Sequence, residues 1–134
     1  MQSLITVTIA GIGPIGEWDT RTGGAPKSNP PLHRPAGMGP QISYTSRVTY
    51  DNVQVSRVMD NENRSDWDLY KQILPVVGSA LMTVTEQPLD STGTAFGDPV
   101  VYSGRLADMD QGKSDSESEA PRIWSLDMVC TTVV

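Results

Sequence analysis

The stretch 53–93 decides the fold: VQVSRV (Val53–Val58), SDWDLYKQILPVVG (65–78), SALMTVTEQ (79–87), then a turn closing at Gly93. It reads as strand, acidic turn, helix, strand and tight turn. Ser65 is placed to cap the helix N-terminus, and Asp66 and Asp68 set negative charge beside its exposed amides. Trp67, Tyr70, Leu74 and Val77 recur at helical spacing, and Ile73 widens their apolar stripe. Pro75 removes a donor from the second half, and Gly78 suits a left-handed residue beyond the end. The spacing therefore predicts a helix over about 65–77 with an irregular last turn. An amphipathic helix must bury its stripe, and its neighbours in sequence on both sides are strands.

The 134 residues suffice for one domain, 1–134, with one core. Twelve Gly and ten Pro indicate much turn and loop. Apolar runs of about 18 residues are lacking, so a membrane span or anchor is not expected. The N-terminal MQSLITVTIAG lacks the basic and long apolar regions of a signal peptide. Cys130 is the single cysteine and sits in an apolar alternation, which predicts a buried thiol. The formal net charge is −6. Affinity for nucleic acid comes mainly from Lys and Arg on phosphates, so this chain should not attract it.

Outward from the central stretch, Ile5, Val7 and Ile9 alternate with Thr6 and Thr8 as a half-buried strand does. Gly11-Ile12-Gly13-Pro14-Ile15-Gly16 then matches the G-x-G-x-x-G dinucleotide fingerprint. That chemistry needs a helix to start there, facing its amides to a pyrophosphate. EWDTRTGGAPKSNPP cannot supply it, and His33 and Arg34 stand where the ribose-binding acid belongs. No cofactor is expected. From about 10 to 41 periodicity is weak, with Trp18, Leu32 and Met38 as apolar anchors, so a long Gly/Pro-rich arm that orders on a partner is expected.

Ile42, Tyr44, Val48 and Tyr50 share a face, and after Asp51-Asn52 the phase slips to Val53 and Val55; a two-residue turn or a bulge would each do this. Ala80, Met82 and Val84 form the strand after the helix, and Asp90-Ser91-Thr92-Gly93 reads as a hairpin turn. Val100, Tyr102 and Leu106 mark another strand, and Trp124, Leu126, Met128 and Cys130 the face of the last. Between them, about 108–120 reads as an acidic loop: Asp108, Asp110, Asp115, Glu117 and Glu119 against Lys113 leave a net −4. About six strands and one helix predict a mainly β fold, an antiparallel sandwich or barrel with the helix flanking it.

Catalytic constellations are hard to find. His33 has no neighbour at triad or metal spacing, and one His with one Cys does not make a zinc site. There is no G-x-S-x-G elbow, and the acidic run lacks the calcium-loop pattern. Neither catalytic nor metal-binding residues are assigned, and the chain is read as a non-enzyme.

The order of elements carries a resemblance. The segments WDTRTGG (18–24), HRPAGMGP (33–40), TYDNVQVSRV (49–58) and TVTEQPLD (83–90), with the helix DWDLYKQI (66–73), resemble phage tail tube proteins, both of contractile tails and of phages of actinobacteria. The resemblance spans nearly the whole chain. It implies a homo-oligomer of hexameric rings stacked into a tube, the virion's conduit for DNA, which passes without specific binding. It implies subunits made in the host bacterial cytoplasm, neighbours that continue a β-layer round the lumen, and partners among baseplate or initiator, terminator and, in a contractile tail, sheath proteins. The arm would meet an adjacent subunit through Trp18, Arg21, Leu32, Arg34 and Met38. The segment 17–34 nets +1 and 108–120 nets −4, an asymmetry that would align rings; surplus acid would alternatively line the bore. Another ring protein of the tail, an injection-device inner tube, and a monomeric β-sandwich module for carbohydrate or another ligand are the competing readings.

Overall fold

The computed structural model describes residues 2–28, 32–33, 42–43, 48–59, 65–112 and 122–134. Seven strands form one antiparallel sheet: β1 (Gln2–Ile9), β2 (Gly13–Trp18), β3 (Thr20–Gly23), β8 (Val53–Val58), β9 (Leu81–Leu89), β10 (Val100–Asp110) and β11 (Ile123–Val133). Their order is β2-β1-β9-β10-β11-β8-β3. The period-two pattern sets the inner face. Ile5, Val7 and Ile9 of β1, Val53 and Val55 of β8, Met82 and Val84 of β9, and Trp124, Leu126 and Met128 of β11 are all buried. Cys130 is buried with them, as its alternation predicts. Thr6, Thr8, Thr83, Thr85, Ser103 and Ser125 stand on the opposite face. The mainly β, sandwich-like architecture with one flanking helix is the one the alternation implies.

The sheet curls until its two ends approach. β2 pairs with β1, and one residue later, past Asp19, β3 pairs with β8 at the far end of the order. The Asp19 amide donates to the Ser56 carbonyl at 3.0 Å at this corner. Bulges help to bend the strands. β10 slips register against β11 between Ser103 and Gly104 and again between Leu106 and Asp108. A Cβ at Gly104 would lie 1.9 Å from the Val129 carbonyl oxygen, so the close crossing requires glycine.

Most of the described residues of the arm expected over 10–41 lie in strands. β2 and β3 belong to the sheet, and β4 (Pro26–Lys27), β5 (Leu32–His33), β6 (Ile42–Ser43) and β7 (Thr49–Tyr50) form two short pairs outside it, with Tyr50 packed against the core. Thr20↔Ser56 and Gly23↔Val53 on β3/β8 and Pro26↔Tyr50 on β4/β7 keep one antiparallel register; Leu32↔Ser43 on β5/β6 is displaced by a single residue. The described pairs thus follow one two-stranded antiparallel ribbon pattern outside the main sheet, with that single shift. Its short, Gly- and Pro-broken strands hid the pairing, because no piece is long enough to show alternation.

The phase slip at Asp51-Asn52 is neither a hairpin turn nor a bulge. Both ribbon strands bend together there, with Gly23 and Gly24 opposite at φ of 85° and 81°. A Cβ at Gly23 would meet the Asn52 carbonyl oxygen at 1.8 Å. The glycine fingerprint at 11–16 serves the β1–β2 turn and the strand after it, and no helix begins there.

The helix α1 (Ser65–Ile73) runs into a 3-10 turn (Leu74–Val76) containing Pro75, and Gly78 takes φ 89°. The irregular end is thus as predicted. The buried stripe is rotated by one residue from the expected one. Ile73 is fully buried, with Leu69, Tyr70, Val76 and Val77 packed at its sides, whereas Trp67 and Leu74 are 42% and 43% exposed. One residue turns a helix by about 100°, enough to exchange a core position for a surface one. The Asp90 turn forms as read: the Asp90 carboxylate accepts from the Thr92 and Thr94 amides, each at 2.9 Å.

Candidate functional site

Two arginines on the inner face mark the places where this fold departs from an apolar core. Arg57 follows Val53 and Val55 in the β8 alternation, so its side chain is directed inward. Its Nη1 donates to the carbonyls of Ile15 at 2.8 Å and Glu17 at 3.0 Å, and its Nη2 to Asp66 Oδ1 at 2.7 Å. The guanidinium lies 4.4 Å from the Trp18 ring centre and 5.3 Å from that of Trp124. Burial pulls Arg57 below its ordinary pKa, opposed by the carboxylates of Asp66 and Asp19. One side chain thus spans the β2–β8 seam, where the strand ladder stops, and ties the first turn of α1 to it.

Arg21, inward on β3, pairs through Nε with Glu86 Oε2 of β9 at 2.7 Å and lies 4.7 Å from the Tyr102 ring centre. Its Nη1 also donates to the Gly23 carbonyl. This pair roofs the core where the ribbon leaves the sheet. Beside it opens a groove of about 580 Å³, lined by Leu4, Ile5, Glu17, Asp19, Arg21 and Glu86 among others. A second hollow of about 440 Å³, lined by Leu89, Asp90 and Phe96, shares Gln2 with it.

Of the sequence-assigned interface residues, Trp18 and Arg21 have described side chains. Trp18 is buried in the chain's own core, its ring centre 5.0 Å from that of Trp124. An aromatic among glycines looked like arm, but it closes β2. Arg21 is held by Glu86. Leu32 lies in β5. Arg34 and Met38 lie outside the described residues.

Asp108 and Asp110 belong to β10 and face β11 in register with Asp127 and Ser125, so the predicted acidic loop begins later than 108; Asp115, Glu117 and Glu119 lie outside the described residues. Asp127, which sequence reading did not single out, has its pKa raised by burial and by Asp108 and Asp110, against a hydrogen bond from Gln54. Its carboxylate stands beside two others only because of the bulged register. Burial pushes the Cys130 thiol up, as for an inert core cysteine. Among the described residues no group of three His, Cys, Asp or Glu is placed to hold a metal, and no helix is long and apolar enough to cross a membrane.

A curled seven-stranded antiparallel sheet, one helix over its seam and short strand pairs outside it make up the described fold. Solved structures carry the same fold over almost the whole chain. A chain of the anti-feeding prophage baseplate aligns with TM-score 0.70 at 13% identity, covering 99% of this chain and 91% of that one. A chain of the sheath-tube complex of an extracellular contractile injection system, PVC, aligns at 0.61 and 13%, covering 97% and 86%. A chain of the anti-feeding prophage tube-terminating cap aligns at 0.63 and 12%, covering 97% and 85%. No protein-family model and no curated protein matches the chain.

Proposed function

We propose that this chain is a structural subunit of a phage or phage-related tail, assembling as hexameric rings that stack into the tail tube. The observation that carries this reading is the end-to-end match to chains of contractile injection assemblies, with the ribbon included in the aligned length. Physical chemistry supports it. The short pairs β4/β7 and β5/β6 lie outside the main sheet and offer strand edges for a neighbouring copy to cover. Exposed edges are hazardous in a monomer and useful when a symmetric copy covers them. A head-to-tail contact closes into a ring when its rotation allows, and rings stack without limit. The net charge of −6 suits a bore past which DNA moves without being held. Partners on this reading are baseplate, initiator, terminator and, in a contractile tail, sheath proteins, and the chain resides in the tail of the assembled particle.

A second reading has its own observation. The alignment to the baseplate chain, at TM-score 0.70, exceeds the 0.61–0.63 found for the sheath-tube, cap and terminator chains. That favours a ring at the base of the tube over the repeated tube subunit. Negative-stain electron microscopy across a concentration series, with light scattering, separates the two. Stacked tubes are the result for the repeated subunit, and single rings that do not stack are the result for a basal ring. A monomer at every concentration, with tail initiator proteins added, overturns both.

A further inference from the structure

The chain crosses from one end of the sheet order to the other between Trp18 and Thr20, and the crossing leaves a wedge on either side. Trp18 still pairs with Ile5 of β1, and Thr20 already pairs with Ser56 of β8. In the first wedge β2 and β8 diverge, and Arg57 fills the gap by donating to the carbonyls of Ile15 and Glu17. In the second, β1 and β3 diverge. Gln2, Ser3 and Leu4 pair with Leu89, Pro88 and Gln87 of β9 along one edge and have no described strand along the other. β3 pairs with β8 along one edge only. Successive residues of a strand aim their amides and carbonyls to alternate sides, so part of the backbone of 2–4 points into this wedge.

The second wedge is the groove of about 580 Å³ described above, with Gln2, Ser3, Leu4, Thr20 and Arg21 in its walls. Among the described residues no side chain reaches the backbone of 2–4 as Arg57 reaches that of β2. Arg21 is engaged elsewhere, by Glu86 and the Gly23 carbonyl. An unpaired strand edge beside a groove is the geometry that takes up an extended peptide as an added strand. Charge selects the occupant. Glu17, Asp19 and Glu86 against Arg21 leave the lining at net −2, with Glu17 and Asp19 exposed. Leu4 and, in the adjoining hollow, Phe96 add exposed apolar surface. A second copy presenting the same wedge would set Glu17 and Asp19 against their own duplicates, and each copy carries −6 overall. We infer that the wedge binds an extended basic segment of a different protein, added as a strand along residues 2–4 of β1 with its cations beside Glu17 and Asp19. This goes beyond the assembly reading and does not rest on it.

Fluorescence anisotropy of the full-length chain with a labelled short peptide of alternating Lys and Val tests the inference, together with hydrogen exchange. Two control peptides carry Glu in place of Lys, or Pro in place of Val; proline cannot donate to a strand edge. The Lys-Val peptide should bind saturably, and both controls at least about tenfold more weakly, the acidic one through like-charge repulsion. Binding should slow exchange within Gln2–Ile5 and weaken as salt rises. Glu17→Lys should weaken it about tenfold at low salt. Absence of saturable binding would overturn the proposal, as would equal binding of the Glu peptide. Binding unchanged by Glu17→Lys, or protection confined to other strands, would place the peptide elsewhere and overturn it too. Exchange within Gln2–Ile5 that slows with chain concentration alone would put a second copy in the wedge, and the proposed partner would be wrong.

Discussion

Trp18 and Trp124 lie with ring centres 5.0 Å apart and planes tilted by 43°, one closing β2 and the other on the inner face of β11. They belong to opposite halves of the sheet order, so their contact marks the line where the curled sheet meets itself. Arg57 lies against both rings and binds two β2 carbonyls, doing with a side chain what a backbone ladder would do in a closed barrel.

Replacing Arg57 with Met should therefore loosen the seam and the helix together. The Arg57–Asp66 pair is 13% and 14% exposed, and breaking so buried a pair from one side costs about 3–5 kcal/mol. Urea unfolding should show that loss for Arg57→Met, and a smaller one for Arg57→Met with Asp66→Leu, because the double change leaves no charge at the seam from this pair. A double variant less stable than the single would show that the carboxylate acts chiefly on the helix.

Arg21 offers a contrast between folding and assembly. Reversal to Glu would set two carboxylates where the 2.7 Å pair now stands and would remove the cation beside Tyr102. The thermal midpoint of the monomer should fall by at least about 4 °C, the shift that about 1 kcal/mol produces in a domain of this size. Arg34→Glu, on the arm expected to meet a second copy, should leave the midpoint within about 1 °C. Equal midpoints for Arg21→Glu and the native chain would remove the structural role given to this pair.

The main sheet was legible because its strands alternate cleanly: Ile5, Val7, Ile9 and Trp124, Leu126, Met128, Cys130 were placed on one face by spacing alone and are buried there. The short strands 26–50 were not legible, since β4 to β7 are two residues each and their pairing is set by partners about ten residues away for β5/β6 and over twenty for β4/β7. Register likewise hid the acids. Asp127 sits in a regular alternation, and only the bulge after Leu106 brings Asp108 opposite it. Arg57 was not singled out from the sequence, although it follows Val53 and Val55 in the alternation; what the spacing did not show is that two aromatic faces and two carbonyls receive it.

Asp127 predicts a pH dependence. Burial and the neighbouring Asp108 and Asp110 raise its folded-state pKa, so the folded protein holds this proton more tightly than the unfolded chain. For an acid raised in this way, the cost to stability grows as pH rises from the ordinary aspartate value through the folded one, and persists above it. Asp127→Asn should then be more stable than the native chain at pH 7, with the difference shrinking toward zero below pH about 4. Thermal midpoints of both proteins across that range check it. A gain independent of pH would mean that the amide packs or hydrogen-bonds better, and that charge is not the cause.

The helix gives the sharpest separation between a pattern and a packed structure. Helical spacing put Leu74 in the buried stripe, yet it is 43% exposed at the start of the 3-10 turn, while its neighbour Ile73 has no exposed surface. Pro75 explains the rotation, because the chain tightens into the 3-10 turn around it and swings Leu74 away from the sheet. Ile73→Ala should cost about 2–5 kcal/mol, the transfer of the lost methyl groups plus the cavity they leave. Leu74→Ala should stay within about 0.5 kcal/mol. Chemical denaturation of the two alanine variants decides it: a loss larger at Leu74 than at Ile73 would restore the stripe that spacing suggested, and would require the helix to sit one residue round from its place over the seam.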